Sequence, residues 1–126
     1  MNKATARKLL AEERKRLERI REGVYEELGD PAAERTALAE TSGADQHPAD
    51  VGTERFEREK DLSIIANLDA ELVDVESALR RLAAGEYGTC EICGRPIGEA
   101  RLRVRPATRF CVNDQARVER AVRSAS

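Results

Sequence analysis

Tryptophan is absent from this chain, and aromatic residues account for only 3% of its 126 positions. Without large rings a deep globular core cannot be filled; the chain is one domain's worth of material, with an appendage at most. No apolar run approaches 18 residues, which argues against a membrane span. The N-terminus is charged from Lys3 onward and shows no secretory signal pattern, so a cytoplasmic protein is expected. Cysteine is scarce and odd in number, three in all, where a secreted disulfide framework wants an even count. Histidine occurs once, as His47, leaving no imidazole near the cysteines to activate a nucleophile. A net positive excess is missing too: 22 basic and 24 acidic residues give −2, unlike a protein that coats nucleic acid.

Charge is what the chain has in abundance, at 37% of residues. Such a composition suits long helices whose thin apolar seam is flanked by charge. Leu10, Leu17, Ile20, Val24 and Leu28 recur in steps of seven, three, four and four, which predicts an amphipathic helix over Lys3 to Leu28. Gly29-Asp30-Pro31 ends or kinks it, and Asp30 is placed to cap a short run through Ala32, Ala33 and Leu38. Residues Thr41 to Gly52 read as a polar loop, with Thr53 as the N-cap of the next helix. In that helix Ile65, Leu68, Leu72, Val75, Leu79 and Leu82 form a heptad seam that reaches about Ala84. Some thirty residues at 1.5 Å each predict a rod of about 45 Å. Two helices with matching narrow seams and a polar connection fold most simply as an antiparallel hairpin, with residues near Leu17 and Leu72 packed across it. The alternative is a pair of helices that dimerise with another chain.

Gly85 stops the second helix, and Tyr87 to Phe110 is rich in Gly, Pro and Arg with no helical period. Val112 to Arg123 reads as a last helix, with Val112, Ala116 and Val118 inward and Arg117, Arg120 and Arg123 along another side.

Within this region lie Cys90-Glu91-Ile92-Cys93 and, after seventeen residues, Cys111-Val112-Asn113-Asp114. Two thiolates two residues apart can face one ion, and a second pair 15 to 20 residues on completes a tetrahedron. Gly88 and Gly94 suit the tight turns of such knuckles. Asp114 stands where a fourth cysteine is expected, and its carboxylate can close a zinc site with Cys90, Cys93 and Cys111, held less firmly than by four thiolates. The competing reading is a degenerate finger held by packing around Leu102, Val104 and Phe110. A thioredoxin-like redox role would want a βαβ context, which the pattern does not offer.

The run from Tyr87 to Cys111, with Cys90-Glu91-Ile92-Cys93-Gly94, Ile97-Gly98, Arg101-Leu102 and Arg105-Pro106, closely resembles the finger of DksA/TraR C4-type zinc-finger transcription regulators. Upstream, His47-Pro48-Ala49-Asp50-Val51-Gly52-Thr53-Glu54 resembles an element of that family's YteA-like branch. The resemblance covers residues 43 to 120, and the first helix matches only as a coiled-coil arm, without the N-terminal extension of longer members. It implies a mostly α fold: a coiled-coil hairpin over 1–85 with a tip loop at 41–53, then a treble-cysteine zinc-finger module with a C-terminal helix over 86–126.

The same resemblance implies a non-catalytic partner of RNA polymerase, whose hairpin enters the secondary channel and brings its tip near the active centre. The family's two tip acids fall on His47 and Asp50 and its tip alanine on Gly52, with Asp45 close by as a stand-in. The family's basic positions for the alarmone ppGpp fall on Asn67, Asp74 and Gln115, so ppGpp binding is not expected. Arg95, Arg103 and Arg109 are candidates for docking on an acidic partner rim, whereas Arg101 and Arg105 belong to the pattern itself. A monomer without membrane association is expected. The alternative function is a zinc-ribbon protein that binds nucleic acid through the arginine-rich face of the finger.

Overall fold

The computed structural model describes residues 1–28 and 48–125. Four helices occupy them: α1 (Lys3–Leu28), α2 (Pro48–Ala83), α3 (Glu99–Val104) and α4 (Val112–Ala125). The chain divides into two compact units, one of Met1–Lys15 with Glu71–Ser126 and one of Arg16–Ala70.

Helix α1 begins where Asn2 accepts a hydrogen bond from the Thr5 amide at 2.7 Å, satisfying one of the donors that a helix N-terminus leaves open. Its bounds coincide with those expected from the apolar stripe. The stripe itself is shifted: Ala6, Leu10 and Leu17 are buried, whereas Ile20 is 41% exposed. Ile20 was expected inward, but the polar Arg21 one residue on is turned toward an acid, and the helix cannot present both to the same side.

Helix α2 starts earlier than expected. Residues 48–53 are helical, so the predicted loop does not extend through Gly52 and Thr53 is not the N-cap. Pro48 explains the difference: at a first helical position its missing N–H costs nothing and its fixed φ is already helical. The short run expected after Asp30, and residues 41–47 of the tip with Asp45 and His47, lie outside the described residues. Along α2, Ile65, Leu68, Val75, Ala78 and Leu82 are buried, while Leu72 and Leu79 are half-buried.

In each unit an early stretch of one helix meets a late stretch of the other. Arg14 of α1 lies 3.4 Å from Glu76 of α2 in the first unit, and Arg21 donates to Asp69 at 2.6 Å in the second. Within each unit the pairing joins one end of α1 to the opposite end of α2, as antiparallel helices do. The mostly α, coiled-coil hairpin architecture is therefore present as expected.

Helix α2 ends in a Schellman turn. The Glu86 amide donates to Arg81 at 2.8 Å and the Gly85 amide to Leu82 at 3.2 Å, with Gly85 at φ 78°, a conformation side chains disfavour. The chain is thereby turned into the finger module, whose core is Cys90, Ile97 and Leu102 with Tyr87, Phe110 and Cys111 packed against them. Val104, expected in that core, is 81% exposed. Helix α3, which no period announced, contributes only Leu102 to the interior; six residues with one buried side chain carry no repeat to read.

Candidate metal centre

The first knuckle is built by backbone hydrogen bonds around two turns. Cys90 donates its amide to Arg95 at 2.8 Å, Gly94 returns one to Cys90 at 3.0 Å, and Ile97 donates to Gly88 at 2.8 Å. Thr89 and Pro96 form an isolated antiparallel bridge that closes the base. Gly94 sits at φ 75°, where any side chain would be strained, and this reversal lets Cys90 and Cys93 share one side.

The second knuckle is a helix start. Gln115 donates its amide to the Cys111 carbonyl at 2.8 Å, so Cys111 caps α4 and Asp114 follows three residues on, on the same face. Anionic groups are favoured at that position by the helix dipole. The amide of Glu91 donates to Arg109 at 3.0 Å and draws the segment before Cys111 alongside the first knuckle.

The fold thus brings together all four residues named from the sequence. Oδ2 of Asp114 lies 3.1 Å from Cys90 Sγ and 3.3 Å from Cys111 Sγ, and the Cys93 and Cys111 sulfurs are 3.9 Å apart. The four donor atoms all lie within 4.8 Å of one another. A tetrahedral zinc ion with three sulfurs near 2.3 Å and one oxygen near 2.0 Å requires edges of about 3.8 Å between sulfurs and about 3.5 Å from sulfur to oxygen. The spacing is compatible with zinc, slightly contracted on the carboxylate side. Cys90 is buried, Cys111 half-buried and Cys93 exposed at the rim.

Electrostatics agree with this geometry. Asp114 is only 4% exposed, a costly place for a carboxylate without compensation. Hydrogen bonds from the thiols of Cys90, Cys93 and Cys111 hold it below the ordinary aspartate range, with Arg117 adding to them against burial. Burial opposes ionisation of Cys90, but the amides of Cys93, Cys111 and Ile92 aimed at its sulfur outweigh it and lower its value. At Cys93 the Arg95 amide favours the thiolate, yet Asp114, burial and the other two sulfurs prevail and push it up to about 11. These are the responses of four donors crowded around one point that a cation would occupy.

Several predicted positions fall elsewhere. Val112 is 63% exposed and Ala116 is exposed, so of the inward face expected for α4 only Val118 is half-buried; Asp114, one turn before it on the same face, is the one buried residue and sets the rotation. Arg103 pairs with Glu99 at 2.9 Å, and Arg109 reaches Glu91 at 2.8 Å and Asp74 at 3.9 Å. Arg95 is exposed. Arg101 donates to the Phe110 carbonyl at 3.2 Å, the structural role its place in the motif suggested. Asp50 and Gly52 lie in the first turns of α2.

Sequence reasoning missed a brace beside the site. Arg81, half-buried at the end of α2, lies 3.1 Å from Glu91 and donates also to the Thr89 carbonyl, while the Tyr87 hydroxyl donates to Pro106 at 2.8 Å. An arginine in the last turn of a helix is ordinarily read as answering the helix dipole, so nothing singled Arg81 out.

Comparison with known proteins places this geometry. Residues 85–120 match the prokaryotic DksA/TraR C4-type zinc finger. Over 67 residues the chain is 40% identical to the uncharacterized protein YteA of Bacillus subtilis, covering 53% of this chain and 28% of that protein. Over 49 residues it is 49% identical to the RNA polymerase-binding transcription factor DksA of Caulobacter vibrioides, covering 39% and 34%. The matched parts are thus about a third of the length of these relatives. Among solved structures, transcription factor DksA2 of Pseudomonas aeruginosa superposes with a TM-score of 0.69 at 28% identity, over 96% of this chain and 85% of that one.

Proposed function

This chain belongs to the prokaryotic DksA/TraR family of C4-type zinc-finger proteins, and on that premise we propose that it is a non-catalytic transcription regulator that binds RNA polymerase. The observation that carries the reading is the joint likeness of hairpin and finger to a solved transcription factor over nearly the whole chain. A charged helical hairpin is a probe rather than a pocket, suited to a channel in a larger partner. In this proposal the hairpin enters the secondary channel of the polymerase and sets Asp45, His47, Asp50 and Gly52 near the active centre. Arg95, Arg103 and Arg109 face an acidic rim. The protein acts as a monomer in the cytoplasm, without ppGpp, since Asn67, Asp74 and Gln115 offer that ligand no cation.

Cys90, Cys93, Cys111 and Asp114 hold a zinc ion in this reading. The ion would supply a closed structural cross-link between the two knuckles, with no coordination position left for substrate.

The nucleic-acid reading is less favoured because the acids Glu99, Glu91 and Asp74 stand against Arg103 and Arg109. The deciding experiment is a pull-down with core RNA polymerase, followed by transcription in vitro. Capture with an altered open-complex lifetime supports the proposal. Binding to non-specific duplex below about 10 µM at physiological salt, without polymerase capture, supports the nucleic-acid reading instead.

A further inference from the structure

The two oxygens of Asp114 have different surroundings. Oδ2 is turned to the sulfurs of Cys90 and Cys111, whereas Oδ1 faces Nη1 of Arg117 at 3.8 Å, one turn further along α4. A carboxylate that replaces a cysteine in a four-sulfur site brings a difficulty the thiolate lacks, because it can swing to offer both oxygens to the same ion. Two-oxygen ligation would expand a tetrahedral zinc site and pull it away from three sulfurs already in place. It would also leave the site's charge where it was: three thiolates and a carboxylate around a divalent ion carry a net negative charge that calls for a nearby cation. Arg117 answers both needs. Its i,i+3 spacing puts it on the same face of the helix as Asp114, and at 3.8 Å, longer than a hydrogen bond, its charge attracts Oδ1, the oxygen that should stay away from the metal.

We propose that Arg117 is a positioning residue for the metal site, holding Oδ1 of Asp114 so that Oδ2 alone is presented to the ion. The idea rests on the zinc reading above. Arg117 is 73% exposed on its side chain, so solvent weakens the pair and the effect belongs at the small end of what outer-shell partners exert. We expect Arg117→Ala to weaken zinc binding roughly three- to tenfold, against the 10- to 100-fold found for well-buried outer-shell groups. Arg117→Lys should recover part of the loss, because a point charge replaces the planar fork.

The test is a competition titration of zinc against a chromophoric chelator, with the full chain, the two Arg117 variants, Asp114→Cys, and Asp114→Cys combined with Arg117→Ala. Cobalt substitution supplies a second readout, since tetrahedral cobalt absorbs far more strongly in the visible than cobalt with an added oxygen. In support, Arg117→Ala weakens zinc binding and dims the cobalt bands in the native background, whereas with Asp114 as cysteine it weakens binding clearly less and leaves the bands unchanged. Equal weakening in both backgrounds would mean that Arg117 acts only by its charge, and no weakening in either would mean that it is a surface residue; each overturns the proposal and leaves the zinc reading standing. If the unmodified chain takes up no zinc at all, the zinc reading fails and this proposal falls with it.

Discussion

Arg81, in the last turn of the long helix, sets its guanidinium 3.1 Å from the carboxylate of Glu91, the first of the two residues between the cysteines of the first knuckle. The other oxygen of Glu91 accepts from Arg109 at 2.8 Å, two residues before Cys111. One carboxylate therefore ties the end of α2, the first knuckle and the approach to the second. The Arg81–Glu91 half of this brace, at 17% and 25% side-chain exposure, is better shielded from water than the Glu99–Arg103 pair, whereas Arg109 is 45% exposed. Glu91→Ala should cost about 1–2 kcal/mol in urea denaturation, and Arg103→Ala less than about 0.5 kcal/mol. Equal costs would show that the brace is no more than a surface ion pair.

The seam makes a sharper contrast between two residues that look alike in the sequence. Leu10 is completely buried and Ile20 is largely open. Leu10→Ala should destabilise the protein by about 2–5 kcal/mol, through lost transfer energy and the cavity left behind. Ile20→Ala should cost under about 1 kcal/mol. Thermal melts of the two variants give the comparison directly.

Asp74 carries a dependence on pH. Burial raises its pKa, Arg109 works against the rise and Glu91 adds to it. A carboxyl whose folded value lies above its unfolded one favours the fold while protonated, and that contribution is lost as pH climbs through the folded value. At neutral pH the ionised group is thus a mild burden. Asp74→Asn should raise stability at pH 7 by on the order of 0.5 kcal/mol, discounted for solvent screening, and the gain should vanish below about pH 3.9. Melting curves at both pH values check the sign.

At the tip, the backbone course separates two roles for Asp50. The residue lies in the first turn of α2 rather than ahead of it, and Thr53 is inside the helix, where its amide has a backbone partner and needs no cap. Its carboxylate near a helix N-terminus is worth at most about 1 kcal/mol. Asp50→Asn should therefore melt nearly as the parent does and still bind polymerase, while losing its effect on transcription in vitro. A variant that regulates normally would remove Asp50 from the functional surface.

Much of this architecture was legible because it is written in periods. The heptad seam of α2, the extent of α1 and the paired spacing of Cys90, Cys93, Cys111 and Asp114 each repeat a geometric requirement, and each appears as read. What escaped depended on single contacts. Pro48 extended a helix backward into residues whose composition looked like a loop. Leu102 formed a helix too short to have a rhythm. The rotation of α4 followed Asp114, and with it Val118, rather than Val112, because the hydrogen bonds of two thiols to one buried carboxylate outweigh what Val112 gains by turning inward. Arg81 and Glu91 found each other across ten residues by the path of the turn between them, which no spacing rule encodes.

The solitary burial of Asp114 in α4 has a consequence for how that helix exists at all. Of the fourteen residues Val112–Ala125 Asp114 alone is fully buried, with Val118 half-buried one turn on, and helices of that length are marginal in water when nothing anchors them. An ordinary surface helix is glued along its length; this one is held over its first two turns, at Asp114 and Val118, and is exposed beyond them. In the proposed zinc-bound state its cohesion would be borrowed from coordination chemistry, and the conformational freedom of these fourteen helical residues would depend on what fills the space between three sulfurs and one oxygen.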